Sequence, residues 1–220
     1  MTASPYTCVL WDVDGTIADA TPGIFPRLRE VLAGYGLPAP TDLRRWVGPP
    51  MYESFQLRAG MPPAQAEEAL ARYRELAARD GYAASVELYP GVADVIRAVH
   101  AAGIPQATAS TKPENQVRAI LKHYELLPLF TAISGARSGP AGRDDSKADV
   151  IGWALERLRA AGVDTARPVL IGDRHHDVEG AEAWEIPVIF SAWGFGAPSE
   201  ADGAVAVAAS AADLPALLLR

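Results

Sequence analysis

The sequence contains a single cysteine, Cys8, so no internal disulfide can form; it sits inside an apolar run and reads as a buried, inert thiol. No apolar run approaches the roughly 20 residues that a membrane-spanning helix needs, so no membrane association is expected. The first residues lack a basic segment followed by a long apolar stretch. No signal peptide is read there, and a soluble, cytoplasmic protein is expected. Clusters of lysine and arginine are also missing: 20 basic side chains stand against 27 acidic ones, a formal charge of −7. That balance repels nucleic acid and demands local counter-charge wherever an anionic substrate binds. Internal repeats and low-complexity linkers are absent. What remains is globular in composition, 49% hydrophobic and 21% charged over 220 residues. That length suits one domain, or a core with a small insert. Oligomeric state is not legible.

Several short apolar runs end in polar clusters and lead into helical patterns. Cys8-Val9-Leu10-Trp11 ends at Asp12, Ile104 to Ala109 ends at Ser110-Thr111-Lys112, and Val169-Leu170-Ile171 ends at Gly172-Asp173. A fourth, Pro187 to Phe190, runs into Ser191. Short unalternating strands between helices indicate a parallel sheet covered on both faces. Ligands of such sheets bind beyond the carboxyl ends of the strands, which gathers these distant polar residues at one edge. A last short strand (Ala204 to Ala208) and a terminal helix are expected near the end of the sequence.

Residues 19–85 break the rhythm. They hold no convincing strand, but helical patterns span roughly Gly23 to Leu32 and Pro62 to Arg79. In the second, Ala66, Ala69, Leu70, Tyr73 and Leu76 share one side, with Glu67, Glu68, Arg72 and Arg74 elsewhere. Prolines punctuate the middle. The segment reads as a helical unit inserted after the first strand. The chain re-enters the core near Leu88-Tyr89-Pro90-Gly91, followed by a helix from Val92 to Ala101 ending at Gly103.

Asp12-Val13-Asp14-Gly15-Thr16 places two carboxylates at the end of the first strand, and Gly15 permits the tight turn that aims both at one ligand. A carboxylate can attack phosphorus directly. A neighbouring carboxyl can protonate the leaving oxygen and later deprotonate water. Asp173 and Asp177 add two more acids at the end of the third strand. Four such groups at one edge repel unless a cation sits among them. Hard oxygen donors with no thiolate favour Mg2+ over zinc, and such an ion also neutralises phosphate oxygens. The adjacent His175 and His176 are not read as its ligands. The Ser110 hydroxyl and the Thr111 backbone amide can donate to a phosphoryl oxygen. Lys147 opens an amphipathic helix with Val150, Ile151, Ala154, Leu155 and Leu158 at helical spacing. Its ammonium can offset charge on Asp12 and on a phosphoryl group, and Lys112 is a rival that position alone does not eliminate.

As a set, Trp11-Asp12-Val13-Asp14-Gly15-Thr16, Ser110, Ser146-Lys147-Ala148-Asp149 and Gly172-Asp173-Arg174-His175-His176-Asp177 resemble the four motifs of the haloacid dehalogenase-like hydrolase superfamily. Within it, the phosphoglycolate phosphatase and 5′-nucleotidase-like branch is the nearer likeness, shared also by Trp46-Val47-Gly48-Pro49-Pro50. The resemblance implies a Rossmann-like α/β core, residues 1–18 and 86–220, with a small α-helical cap at 19–85. It implies a Mg2+-dependent phosphatase acting on a small phosphorylated metabolite through an aspartyl-phosphate. Asp12 is then the nucleophile and, with Asp173, a carboxylate ligand of the metal. Asp14 is the general acid/base and gives its backbone carbonyl to the metal, while Asp177 holds metal waters from further out. Ser110 binds the phosphoryl group and Lys147 orients the nucleophile. The resemblance selects Lys147 over Lys112. Ser110 departs from the branch, where threonine is commoner, but keeps the hydroxyl. Asp14 argues against carbon–halogen and phosphonate cleavage, whose enzymes in the superfamily lack it.

Two other readings use the same acids. A sugar phosphomutase returns the phosphoryl group to its substrate. A receiver-type signalling module carries a phosphoaspartate, but has no place for the insert at 19–85. Substrate choice is expected to lie on the cap, where Phe25, Arg44, Arg45, Trp46, Tyr52 and Phe55 offer aromatic and cationic groups.

Overall fold

Strand β1, Cys8–Trp11, is buried along its whole length. A computed structural model describes residues 4–47, 49–83 and 86–219. From β1 the chain passes through β2 (Ala18–Asp19) into three helices: α1 (Thr21–Gly34), α2 (Met51–Leu57) and α3 (Pro63–Asp80). It returns through β3 (Glu87–Leu88), which pairs antiparallel with β2, so exit and re-entry share one two-stranded neck. Next come α4 (Val92–Ala101), β4 (Gln106–Thr108), β5 (Ser110–Pro113), α5 (Glu114–His123) and β6 (Gly135–Ala136). The chain ends with α6 (Lys147–Ala160), β7 (Pro168–Gly172), α7 (His175–Glu182), β8 (Val188–Ser191), β9 (Ala206–Ala208) and α8 (Leu214–Leu218).

Five strands form a parallel sheet in the order β4-β1-β7-β8-β9. The chain adds β4 on one flank of β1 and the later strands on the other. The carboxyl end of β1 is therefore the switch point where an open α/β sheet offers a crevice. Side chains alternate across the sheet. Val9, Trp11, Val169 and Ile171 pack with Val95, Ile96, Val117 and Leu214 on one face. Cys8, Leu10 and Leu170 pack with Ile151, Ala154 and Leu158 on the other. Each such buried aliphatic side chain contributes about 1.5–3 kcal/mol. Two buried polar side chains here are satisfied: Trp11 Nε1 donates to Gln106 Oε1 at 3.0 Å, and Gln106 Nε2 donates to the Ile96 carbonyl. Burial pushes the Cys8 thiol up to about 11, as an inert thiol requires.

Helices α1–α3 have their own apolar cluster, including Leu28, Leu32, Trp46, Phe55, Leu70 and Leu76. Arg27 and Asp80 close it with an ion pair of 3.0 Å. Periodicity locates α1 and α3, but α1 runs further, from Thr21 to Gly34, because Pro22 suits its first turn. Pro26 lies inside it and has no N–H to donate to the Pro22 carbonyl. Helix α2 has no counterpart among the expected elements; Pro50 is extended and starts it rather than breaking the chain. Asp19, inside the segment expected to be strandless, belongs to β2. Gly48 and residues 84–85 lie outside the described residues. No helix among the described residues is long and apolar enough to cross a membrane.

Candidate active site

Beyond β1 the Asp12 amide still donates to the Ile171 carbonyl, which fixes the start of the loop to β7. The chain then turns sharply. The Val13 carbonyl accepts from Ile17 and Ala18, and Gly15 takes φ +94°. A side chain there is excluded twice over: by that φ, and because a Cβ would fall 2.2 Å from Asp173 Oδ2. Gly15 thus lets the Asp12–Asp14 loop lie directly on the end of β7.

Lys147 is the first residue of α6, whose start is fixed by a capping box between Ser146 and Asp149. Its buried ammonium donates to Asp12 Oδ1 at 2.6 Å and to the Ala109 carbonyl at 2.7 Å, and lies 2.6 Å from Asp177 Oδ1. Gly180 makes room for the lysine stem, since a Cβ would come within 2.6 Å of Lys147 Cγ. Burial opposes the charge on Lys147, but Asp12 and Asp177 outweigh it and raise its pKa. Lys112 is placed on the other carboxylate: its Nζ donates to Asp14 Oδ2 at 2.6 Å.

Asp12, Asp173 and Asp177 are all buried and bring carboxylate oxygens within 4.8 Å of one another. Asp173 Oδ2 accepts from the Phe195 amide at 2.7 Å. Asp177 Oδ2 accepts from the amides of Asp173 and Arg174, while its other oxygen faces Lys147. Burial raises the pKa of Asp12, offset in part by Lys147. Burial, with Asp177 and Asp12 adding to it, holds Asp173 well above the ordinary carboxylate range. Asp14 is also raised by burial, and its Oδ1 is buried without a hydrogen-bond partner among the described residues. This donor set is short of positive charge and offers only hard oxygens, so the residues fit Mg2+.

Ser110 and Thr111, at the start of β5, line the cavity beside Asp12 and Asp14; the Ser110 hydroxyl accepts from the Lys112 amide at 3.3 Å. The rings of His175 and His176 lie 3.8 Å apart, closer than expected of two adjacent side chains. His175 Nδ1 is 2.8 Å from Glu200. Of the helical-unit residues expected to set specificity, Trp46 and Tyr52 reach the cavity. Phe55 is fully buried edge-on to Trp46, and Phe25 packs within the helices. Arg44 is exposed, and Arg45 pairs with Asp42 on another surface.

Among the residues not singled out for the site, Tyr73, Arg74, Gln116 and Arg143 also line the cavity. Arg74 has a signal in the sequence. It follows Leu70 by four and precedes Ala77 by three, so a charge stands beside the buried stripe of α3. Arg143 has none, because it comes from an irregular loop. It reaches Glu67 of α3 at 3.1 Å and lies 4.8 Å from the Tyr52 ring of α2.

Comparison with known proteins places the chain in a family. The tyrosine-protein kinase PtkA of Mycobacterium tuberculosis is 38% identical over 190 residues, which cover 86% of this chain and 62% of that protein. The chain thus spans about three-fifths of the length of that relative. A phosphoglycolate phosphatase of Caulobacter vibrioides is 30% identical over 216 residues, 94% of this chain and 88% of that one. Among solved structures, a predicted phosphatase from Clostridium acetobutylicum superposes with a TM-score of 0.86 at 29% identity, covering 95% of this chain and 96% of its own. Residues 9–191, a span that holds both pairs of acids and both lysines, match the profile of a single family. The chain belongs to the haloacid dehalogenase-like hydrolases.

Proposed function

We propose that the protein is a phosphatase that hydrolyses a small phosphomonoester, with Asp12 as nucleophile and Asp14 as acid and base. The observation that carries this reading is the buried Asp12 at the switch point, held through one oxygen by Lys147 at 2.6 Å and lining the same cavity as Asp14. An Asp12 oxygen attacks phosphorus and the bond to the leaving oxygen breaks. The Asp14 carboxyl gives that oxygen its proton, which yields an alcohol and an acyl phosphate. Asp14, now a carboxylate, takes a proton from water as the water attacks phosphorus. Inorganic phosphate leaves and Asp12 is restored. Lys147 balances the charge of Asp12 as it approaches a dianion. The Ser110 hydroxyl and the Thr111 amide hold phosphoryl oxygens. Asp12, Asp173 and the Asp14 carbonyl would hold Mg2+, with Asp177 ordering its waters; the ion supplies charge neutralisation to the phosphoryl oxygens. Helices α1–α3 act as a cap that covers the site and selects the substrate.

The test is acid-quench labelling with a 32P-phosphomonoester. Label on Asp12 that turns over to free phosphate is the expected result, and Asp12→Asn should lose both. The kinase name of the 38%-identical relative supports a second reading, in which the Asp12 phosphoryl group passes to a tyrosine hydroxyl. Label appearing on an added tyrosine peptide rather than in free phosphate would select it. Migration of label within a sugar phosphate would select a mutase.

A further inference from the structure

Nearly every cation around the cavity already has an acidic partner. Lys112 holds Asp14, Lys147 holds Asp12 and Asp177, and Arg143 pairs with Glu67 and Asp144. Arg174, behind the site, holds Glu200. Arg74 is different. It is half-buried in the cavity wall and, among the described residues, makes no ion pair or hydrogen bond. Burial alone lowers its pKa, with no carboxylate contributing. A guanidinium keeps its charge even so, and a charge partly withdrawn from water without a partner is costly. Gln116, in the first turns of α5, repeats the pattern on the core side. It is half-buried, lines the same cavity, and makes no hydrogen bond among the described residues. The remaining acid in that wall, Asp145, is taken up by Arg137 at 2.6 Å.

The geometry points to a second anion subsite: Arg74 from α3 and Gln116 from α5 bind a carboxylate or second phosphate of the substrate whose phosphomonoester sits at Asp12. This rests on the phosphatase reading above. A guanidinium fork offers paired donors to two oxygens of one planar or tetrahedral anion, and an amide NH2 adds a donor from the opposite element. The phosphoryl end needs neither group, because Lys147, Ser110 and Thr111 serve it. Size limits the spacer between the two anions. The cavity holds about 110 Å3, below the roughly 300–1,000 Å3 usual for drug-sized ligands. A phosphomonoester with its second anion only a few bonds away suits that space.

The experiment compares kcat/KM for phosphoglycolate (a carboxylate), pyrophosphate (a second phosphate) and ethyl phosphate (neither) in Mg2+. Variants are Arg74→Met, which keeps the apolar stem, Arg74→Lys and Gln116→Glu. The wild type is expected to prefer one doubly anionic compound over ethyl phosphate at least tenfold, and the preferred one identifies the anion. Arg74→Met should cut that ratio by tenfold or more, chiefly through KM. Arg74→Lys should restore part of it, and Gln116→Glu should lower it by repulsion. Equilibrium binding of the same three compounds to Asp12→Asn protein, with and without Arg74→Met, gives the ratio without turnover. An unchanged ratio in either measurement, or a wild type that favours ethyl phosphate, overturns the subsite. Absence of label on Asp12 overturns the phosphatase reading instead, and the binding ratio still decides the subsite.

Discussion

Lys112 Nζ lies 2.6 Å from Asp14 Oδ2, so Asp14 and Asp12 each have a lysine of their own. Burial raises the pKa of Asp14, and Lys112 pulls it back down. Removing Lys112 should therefore raise that pKa further. In the proposed reaction Asp14 must be a carboxylate when water attacks the acyl phosphate. The rising limb of the pH–kcat profile should move to higher pH in Lys112→Met. The lost rate should return as the pH is raised, since a close opposite charge lowers a carboxyl pKa and its removal undoes that. A profile that merely scaled down at every pH would mean that Lys112 acts on substrate binding, not through Asp14.

Lys147 sits between Asp12 and Asp177 and stands to lose more. Lys147→Met leaves two buried carboxylates facing each other and removes the charge that Asp12 uses in approaching a dianion. A fall in kcat of about 10²–10³ is expected, with a much smaller change in KM. The loss should exceed that of Lys112→Met at the pH optimum of each variant. Steady-state kinetics on one aryl phosphate decides the comparison.

The two lysines also show where the sequence stops being informative. Strand ends and spacing locate Asp12, Asp14, Ser110 and Asp173, because a parallel sheet brings the ends of its strands to one edge whatever lies between. They do not pair lysines with carboxylates, since that depends on the register of β5 against β6 and on the start of α6. The two-residue strands β2 and β3 carry too few residues to show alternation. Helix α2 hides behind two prolines. Arg143 is invisible for a different reason: its role depends on the helical unit folding back over the core, and nothing local to Gly142-Arg143-Asp144 reports that. Arg74 is legible only as a charge flanking an apolar stripe, a pattern that solvated arginines share.

Asp173 links pH, metal and stability. In metal-free protein its pKa is raised, by burial first and then by Asp177 and Asp12. A carboxyl that binds its proton more tightly folded than unfolded costs stability as pH rises above the ordinary carboxylate range, and the cost is complete above the folded pKa. With EDTA present, Asp173→Asn should melt above the wild type near pH 7.5, and the gap should shrink toward pH 4. Mg2+ should raise the wild-type Tm, by preferential binding to the folded state, and raise that of the variant little. Mg2+ affinity should fall at least 10–100-fold, the range known for losing a mere outer-shell partner. Differential scanning fluorimetry across pH, with and without Mg2+, tests all of this. A metal-free wild type as stable as the variant at neutral pH would contradict this charge balance.

Arg143 ties the core loop to the helical unit at two points, Glu67 at 3.1 Å and the face of Tyr52 at 4.8 Å. Both contacts are partly exposed, so each carries a modest value. Together they favour the covered arrangement by roughly a factor of 2–30 in population. Arg143→Ala should lower kcat/KM by up to that factor, because a substrate then has to bind a state that is less populated beforehand. Its effect should be larger on a substrate that contacts the cap than on an aryl phosphate. Glu67→Ala should give a smaller loss that shrinks further in high salt, since only the ion pair is screened. In the double variant Arg143→Ala/Glu67→Ala the losses should combine to less than their sum, the signature of a direct interaction. Strict additivity would show that Arg143 acts through Tyr52 alone.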